Sequence, residues 1–202
     1  MAAAGSTHLP GFPDPVLDAQ TTFRLLLAAM SRPGTVRELP TLTPAPLPLF
    51  ETTAAVCLTL LDLHTPTWMD IDIESNEAAA DYLRFHCGCP IVPERSEAAF
   101  ALITNPGQSP DLATFNPGTS EFPDRSTTLI FQVADLIQGQ GRKLTGPGIA
   151  GERRLGVDGL DNNFFDQLRR NRSLYPLGVD LFLVSPKAVC GLPRTVRVED
   201  EQ

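Results

Sequence analysis

The distribution of proline is the sequence feature that most limits what this chain can fold into. Nineteen prolines are scattered through its 202 residues. Proline fixes the backbone φ angle and has no amide hydrogen, so it interrupts helices and central strands. The scatter therefore predicts loops between regular elements rather than a proline-rich linker. The longest of these loops covers residues 105–124, and a loop of that length in a compact domain is usually functional or part of an interface.

Between the loops, hydrophobic periodicity predicts a mixture of helices and strands. Helices are predicted from residue 15 to the Pro33-Gly34 stop and at 50–61, 77–86 and 162–172. Strands are predicted at 35–39, 67–73, 100–104, 127–133, 143–145 and 179–184, with extended segments over 189–198. With no internal repeat and no break in composition, this pattern predicts one α/β domain over residues 14–198. The expected architecture is a layered α/β/α fold with a central mixed sheet, flanked by a flexible tail at 1–13 and an acidic tail at 199–202.

The first helix has the clearest signals. Asp14 suits the N-cap position and Pro15 the first helical position. Apolar residues recur at helical spacing and predict one buried face. They are Val16, Ala19, Phe23, Leu26, Leu27 and Met30.

Composition and charge exclude several classes of function. A hydrophobic content of 42% and a charged content of 20% are typical of a globular domain. The net charge of −8 disfavours nucleic acid and anionic membranes as partners. The sequence has no apolar run of membrane-spanning length and no secretory signal, so we expect a cytoplasmic protein with reduced cysteines. One basic cluster could still hold a small anion. It comprises Arg169, Arg170 and Arg172, with Arg153 and Arg154 upstream.

A glycine motif at residues 146–151 offers one functional hypothesis. Gly146, Gly148 and Gly151 match the G-x-G-x-x-G pattern of dinucleotide-binding folds. This match supports an alternative function, in which the chain is a free-standing nucleotide-binding enzyme for a small molecule. The following segment breaks at Gly156 and Gly159, and Pro147 removes a backbone donor. A structural turn is therefore the favoured interpretation.

Other reactive combinations are incomplete. His86, Cys87 and Cys89 carry zinc-ligand chemistry, but their spacing is crowded and a fourth ligand is missing. Asp62 and His64, which could form an acid–base pair, lie two residues apart and do not face each other on a helix. We therefore expect no metal site.

Schiff-base chemistry has no better support. A pyridoxal enzyme needs a lysine to hold the aldehyde, and the chain has only Lys143 and Lys187, neither in a recognisable motif. We therefore expect no cofactor bound by this chain.

Seven stretches in one order along the chain carry a family resemblance. They are FRLLLAAMSRPG (23–34), TPTW (65–68), LRFHCGCP (83–90), STTLI (126–130), LTGPGI (144–149), PLGVDL (176–181) and PRT (193–195). Together they resemble the PhnH subunit family of the bacterial carbon–phosphorus lyase system. The resemblance runs from about residue 16 to residue 198, which is nearly the whole chain.

The resemblance implies a homodimeric α/β protein. Its expected fold is similar to that of pyridoxal-phosphate-dependent transferases but lacks the cofactor site. It also implies assembly with G-, I- and J-type subunits. That complex displaces adenine from MgATP with a phosphonate such as methylphosphonate, giving α-D-ribose 1-phosphonate 5-triphosphate, and MgATP is a substrate of the complex. In this family the I-type subunit is regarded as the catalyst, so we expect this chain to assist catalysis rather than perform it.

The resemblance brings no catalytic residues with it. The candidates for ligand or interface contacts are therefore chosen by residue chemistry, because arginine can clamp a phosphate or pair with a partner's carboxylate. They are Arg24, Arg84, His86, Gly146, Gly148 and Arg194.

Overall fold

The fold was taken from a computed structural model of the chain, which describes residues 9–40 and 43–199. The α-helices are α1 (Pro15–Ser31), α2 (Glu51–Leu60), α3 (Ile71–Glu74), α4 (Glu77–Cys87) and α5 (Asn162–Ser173). The strands are β1 (Arg37–Glu38), β2 (Thr67–Met69), β3 (Phe100–Ile103), β4 (Thr128–Gln132), β5 (Asp135–Thr145), β6 (Arg153–Asp158), β7 (Asp180–Val184), β8 (Ala188–Leu192) and β9 (Arg197–Glu199). Short 3-10 turns occupy Arg95–Glu97, Pro106–Gln108, Leu112–Thr114 and Pro123–Arg125.

The strands form two sheets. Six of them make a mixed sheet in the order β1-β8-β7-β4-β3-β2. Within it β2, β3, β4 and β7 are parallel, whereas β8 and β1 are antiparallel additions at one side. Both edge strands are short, and β2 is further covered by a parallel bridge between Thr67 and Ile91. The other sheet is antiparallel, in the order β6-β5-β9.

Apolar cores cover both faces of the six-stranded sheet. Helices α1, α2 and α4 pack on one face, where Leu26, Val56 and Leu83 meet Ile130 and Phe182 of the strands. The opposite face is covered by α5 and by the three-stranded sheet. Alternation along a strand explains the division: Ile130 points to the first core, while Leu129 and Phe131 point to the second. The mixed sheet is confirmed, but one of the layers that cover it combines a helix with a second sheet.

Helix α1 begins as predicted, yet its buried face differs from the predicted one. The Asp14 carboxylate accepts hydrogen bonds from the amides of Val16 (3.1 Å) and Leu17 (3.0 Å). The buried residues of α1 are Thr22, Leu26 and Ala29. By contrast Val16, Phe23 and Leu27 are 75%, 50% and 59% exposed. The predicted face was therefore wrong at these three residues. Helix α1 instead turns the side that carries Ala29 towards the sheet, where Ala29 and Gly191 of β8 allow a close approach: a Cβ on Gly191 would lie 2.7 Å from the Ala29 carbonyl carbon.

Several strand boundaries also differ from the predicted ones. The strand predicted at 67–73 ends at Met69, because Asp70 caps the short helix α3 through the Ile73 amide. Strand β5 begins eight residues before the predicted start, and β6 was not predicted. Strands β5 and β6 pair as an antiparallel ribbon. Its sequence lacks the alternation of apolar and polar residues that predicts a strand, because it contains exposed polar side chains and glycines at 139, 141 and 156. The extended segment 189–198 divides between the two sheets, as β8 and β9.

The predicted tails lie only partly within the described residues. Of the tail at 1–13, residues 1–8 lie outside them, while residues 9–13 contact the domain. Thr43 Oγ1 donates to the Pro10 carbonyl (2.6 Å), and a ring nitrogen of His86 lies 2.8 Å from the Leu9 carbonyl oxygen. Of the acidic tail at 199–202, Glu199 belongs to β9 and the rest lies outside the described residues.

Candidate functional site

The carboxyl ends of the parallel strands form the first place to look for a site. The segment after β2 leads to α3 and α4, where Ile73 and Leu83 pack in the first core. The segment after β3 leads to the opposite face, where Leu112 and Phe115 pack in the second core. Neighbouring strands whose connections leave to opposite faces create the crevice in which α/β sheets usually bind ligands.

Asp70 occupies this crevice and is fully engaged by the protein. It is buried, and its carboxylate accepts bonds from the Thr104 amide (2.5 Å), the Thr104 hydroxyl (2.9 Å) and the Asn105 amide (3.2 Å). It also caps α3 by accepting from the Ile73 amide at 3.2 Å. Both carboxylate oxygens are therefore bonded to the protein, so Asp70 is committed to these contacts rather than to a substrate. Its role is to join the ends of β2 and β3.

A groove of about 340 Å³ opens beside this cluster, at the ends of β3 and β4. Gln132 is its main buried polar side chain. The Gln132 amide oxygen accepts from the Phe50 amide (2.8 Å), and its nitrogen donates to the Pro48 carbonyl (3.1 Å). The groove has no charged side chain in its lining, which consists of Phe50, Thr104, Pro106, Gly107, Gln132, Val133, Ala134 and Gly159. It therefore has no general acid or base, and its one hydroxyl group, that of Thr104, donates to the Asp70 carboxylate.

Sequence reasoning missed Asp70, Thr104 and Gln132. The signal available was their position, since each is a polar residue at or directly after the end of a buried strand. The structure gives all three a part in holding loops and strand ends together.

Arg194 is the most highly connected of the candidate residues. Its guanidinium pairs with the Asp180 carboxylate through Nη2 (2.5 Å) and Nε (3.1 Å). It also donates to the Pro123 carbonyl (2.7 Å) and to the Ser126 hydroxyl. The Arg194 and Asp180 side chains are only 11% and 23% exposed. Arg194 therefore ties the start of β7 to the segments before β4 and β9, and its donors are occupied by the protein.

Gly146 and Gly148 lie in a turn between two antiparallel strands, β5 and β6. Dinucleotide binding needs a strand, a turn and then a helix whose N-terminus meets the pyrophosphate, and no helix follows here. Gly148 has φ +81°, and a Cβ there would lie 2.4 Å from the Ser31 carbonyl oxygen. Gly146 has φ +139°, and a Cβ on it would lie 2.9 Å from the Thr195 carbonyl oxygen. The geometry favours the structural turn.

The remaining candidates lie on the helical face of the domain, apart from Arg194 and the glycine turn. Arg24 is exposed on α1. Arg84 forms an exposed ion pair with Asp81 on α4 (3.1 Å). His86, two residues further, stacks against Tyr82 and reaches the Leu9 carbonyl. The structure does not bring the six candidates together into one site.

The basic cluster is kept together only in part, because Arg169 and Arg172 line a common groove, whereas Arg153, Arg154 and Arg170 make separate contacts. Arg153 donates to the Pro33 carbonyl (2.5 Å) and Arg154 to the Gly141 carbonyl (3.2 Å), so both serve backbone contacts. Arg169 pairs with Asp166 within α5, and Arg172 donates to the Thr195 carbonyl (3.1 Å). Arg170 lines a separate cavity.

The cysteines have the properties of core residues. All four are free and buried. Burial raises the pKa of the Cys87 thiol to about 12 and that of Cys190 to about 12, and it raises the pKa of Cys57 as well. A protonated thiol is a poor nucleophile and metal ligand. Within residues 9–40 and 43–199, no group of three or more His, Cys, Asp or Glu side chains is arranged to hold a metal ion.

The other reactive residue types are held in local contacts. Lys143 pairs with Glu199 (2.7 Å), which raises the pKa of its ammonium and opposes the neutral amine that Schiff-base formation requires. Lys187 is exposed in the turn between β7 and β8. The Asp62 carboxylate accepts from the backbone amide of His64 (2.8 Å), so these two residues form an Asx turn rather than an acid–base pair.

The seven stretches singled out in the sequence meet at these contacts, in one group of three and two pairs. Stretches 126–130, 176–181 and 193–195 meet at Arg194. Stretches 23–34 and 144–149 meet where Gly148 lies against Ser31. Stretches 65–68 and 83–90 meet through the Thr67 amide, which donates to the Pro90 carbonyl (2.8 Å). Most of the resemblance therefore lies in residues that fix this particular fold.

Among the described helices, none is both long and apolar enough to cross a bilayer.

Comparison with known proteins assigns the family. The chain is 38% identical over 201 residues to the "Alpha-D-ribose 1-methylphosphonate 5-triphosphate synthase subunit PhnH" of Rhizobium meliloti (strain 1021), with 100% of both chains covered. It is 33% identical over 179 residues to the "Putative C-P lyase subunit protein HtxG" of Stutzerimonas stutzeri, covering 89% of this chain and 85% of that protein. Residues 10–199 match the family model described as bacterial phosphonate metabolism protein (PhnH). The chain belongs to the PhnH family.

Proposed function

We propose that this chain is a subunit of the carbon–phosphorus lyase core complex of phosphonate catabolism. The observation that carries the proposal is the 38% identity to a synthase subunit over the full length of both chains. In that complex a phosphonate such as methylphosphonate displaces adenine from MgATP to give α-D-ribose 1-phosphonate 5-triphosphate. MgATP is thus a substrate of the complex and not a cofactor of this chain.

The proposed role within the complex is support of catalysis rather than catalysis. The crevice at the carboxyl ends of the parallel strands has Asp70 and Gln132 as its main buried polar groups, and both are engaged by backbone amides. The thiols of Cys57, Cys87 and Cys190 are held protonated by burial. A chain built in this way contributes surfaces to a partner's active site more readily than it contributes a nucleophile.

The proposed partners are the G-, I- and J-type subunits and a second copy of this chain. An exposed apolar stripe on α1 supports a partner surface, since Val16, Phe23 and Leu27 lie at helical spacing on one side of that helix. We assign the stripe to the homodimer.

The proposal extends to fold relationship and location. The parallel strands β2, β3, β4 and β7 with helices on both faces are compatible with a fold related to pyridoxal-phosphate-dependent transferases. In such a relative the Schiff-base lysine would be missing, because Lys143 is paired with Glu199 and Lys187 is exposed in a hairpin turn. The four free cysteines fit the reducing cytoplasm.

Co-purification tests the proposal. The chain is co-expressed with G-, I- and J-type subunits, of which only the I-type subunit carries an affinity tag. We expect the chain to be retained and to elute with the three subunits in one size-exclusion peak. The control is the same experiment without the I-type subunit. If the chain elutes alone in the presence of all three subunits, the assignment to the complex is wrong.

A further inference from the structure

A cavity of about 220 Å³ lies between the long loop at 105–124 and the C-terminal part of α5. Two turn-rich stretches, residues 116–119 and residues 175–180, close one side of it. Pro117 belongs to the first, and its carbonyl accepts a hydrogen bond from the Gly178 amide of the second (2.9 Å). Leu174 and Val179, on either side of Gly178, also line the cavity. The long loop therefore folds over the C-terminal part of α5 and forms one wall of the cavity.

The interior of the cavity is mainly apolar. Leu112, Phe115 and Val179 line it, and each is 3% exposed or less. These side chains belong to the second core, so the cavity is a recess into the core rather than a fold in the surface. Ligand pockets commonly combine such an apolar lining with a small number of polar groups that fix orientation.

One buried amide has donors to spare in this cavity. Gln167 lines it and is 7% exposed. Its Oε1 accepts from the Leu112 amide (2.8 Å), which fixes which end of the side-chain amide carries oxygen. Within the described part of the chain, no acceptor bonds to its Nε2 group. The neighbouring Asn171 is different, because its Nδ2 and Oδ1 atoms both bond to the backbone of Val179 (2.9 and 2.8 Å).

The rim of the cavity carries one cation and one anion. The Arg170 side chain is exposed, and it makes no ion pair with the other residues that the structure describes. The Asp111 carboxylate accepts a hydrogen bond from the Ala113 amide (3.0 Å) and caps the turn Leu112–Thr114. Arg170 is therefore the cation available to an anionic ligand, while Asp111 opposes such a ligand by charge repulsion.

We propose that this cavity binds a small organic acid. The hydrocarbon part of the acid lies against Leu112, Phe115 and Val179. Its anionic group pairs with Arg170, and one of its oxygens accepts a hydrogen bond from Gln167 Nε2. Pockets for drug-sized ligands have volumes of roughly 300–1,000 Å³, so this one is too small for a nucleotide. The argument for the site uses only its geometry. The further step, that its natural ligands are phosphonates, rests on the proposed function.

Calorimetric titration of the purified full chain tests the site. The probes are phenylphosphonate and benzoate, which share one apolar body and differ in the anionic group, and inorganic phosphate, which has no apolar body. We expect saturable binding of at least one aryl acid and none of inorganic phosphate. Preference for phenylphosphonate would identify a phosphonate site, whereas preference for benzoate would identify a carboxylic acid site.

Substitutions locate the binding. Arg170→Gln should weaken it by roughly tenfold or more, because a hydrogen bond to a charged group is lost. Gln167→Glu keeps the acceptor for Leu112 but replaces the donor with a negative charge, so it should abolish binding. Ala113→Trp should block the mouth, and Asp111→Asn should strengthen binding. Arg32→Gln removes the same charge from the end of α1 and serves as the matched control.

Three results would overturn the site. One is the absence of saturable binding by either aryl acid. Another is equal binding of inorganic phosphate. The last is unchanged affinity in Arg170→Gln together with Ala113→Trp, when circular dichroism shows both variants to be folded. Because the titration uses the isolated chain, its outcome does not depend on whether the chain joins the lyase complex.

Discussion

At the scale of single residues, the side chains that looked most reactive in the sequence hold the fold together. Arg194 has the chemistry to clamp a phosphate, yet its partners are Asp180, Ser126 and the Pro123 carbonyl. Gly148 matches a nucleotide motif, yet it is required because the Ser31 carbonyl leaves no space for a Cβ. Residue chemistry alone could not separate these roles, since the partners lie up to 117 residues apart (148 − 31).

Removing the Arg194 side chain should cost far more stability than removing an exposed arginine. Arg194→Met leaves Asp180 without its buried partner, and we expect a loss of about 3 kcal/mol in the free energy of unfolding. The matched control is Arg84→Met, which breaks the exposed pair with Asp81 and should cost less than about 1 kcal/mol. Urea unfolding of both variants measures the difference. Equal losses would mean that the Arg194 pair contributes no more than a surface pair.

Gly148 and Gly151 form a second matched pair. Both have positive φ (+81° and +76°), but no atom lies within 4 Å of a Cβ built on Gly151. Gly151→Ala should therefore lower the free energy of unfolding only by the cost of holding alanine in a left-handed backbone conformation, about 1–2 kcal/mol. Gly148→Ala should cost more, because its Cβ also collides with the end of α1. Thermal unfolding would contradict this account if the two variants lost the same stability.

The buried thiols predict a dependence of stability on alkaline pH. The pKa of Cys190 is about 12 in the folded chain, against an ordinary value of 9.0. Because the folded pKa is the higher one, this contribution to stability is complete below pH 9 and is lost as the pH rises towards 12. The loss reaches about 1.4 kcal/mol per pH unit for one thiol. In Cys190→Ala, urea unfolding between pH 8 and pH 11 should show a correspondingly shallower decline than in the unchanged chain.

At the scale of elements, the sequence predicted what local signals determine. The Asp14 cap, the Pro33-Gly34 stop and the apolar runs located all four long helices and the central strands. It did not predict which side of α1 is buried, because Val16, Phe23 and Leu27 follow helical spacing as well as the buried residues do. It also missed most of the β5–β6 ribbon, whose glycines and exposed polar residues carry no alternation.

The exposed stripe of α1 gives a prediction at this scale. The double variant Phe23→Glu with Leu27→Glu places two charges on the surface that we assign to the homodimer. We expect a smaller particle in light scattering and an unchanged circular dichroism spectrum, because neither side chain belongs to the core. The control, Leu47→Glu, charges another side chain that is 79% exposed and should leave the particle size unchanged. If the double variant keeps the mass of the unchanged chain, the stripe does not carry the dimer.

At the scale of the whole molecule, the usual binding crevice of an α/β sheet is filled by the protein itself. Asp70, Thr104 and Asn105 occupy the position between β2 and β3, and Gln132 holds the loop before α2. The sequence indicated that its reactive side chains do not form a complete catalytic set. It could not indicate why, because each of these contacts joins segments that are distant along the chain.

This arrangement predicts how the isolated chain responds to nucleotides. Titration with ATP or NAD should give no saturable binding, because the glycine turn precedes a strand and offers no helix N-terminus. Fluorescence of Trp68 or calorimetry can measure it. Tight binding that Gly148→Val abolishes would instead support the free-standing nucleotide-binding enzyme.

The short edge strands have a consequence for a subunit that waits for its partners. An open edge presents unpaired amides and carbonyls on which another chain can add a strand, and long, flat edges promote aggregation. Here β1 has two residues and β2 has three, and a bridge to Ile91 already covers one of the three. At the edges of the six-stranded sheet, little template is left for uncontrolled strand addition. At this sheet, side chains rather than strand edges are therefore left to select a partner.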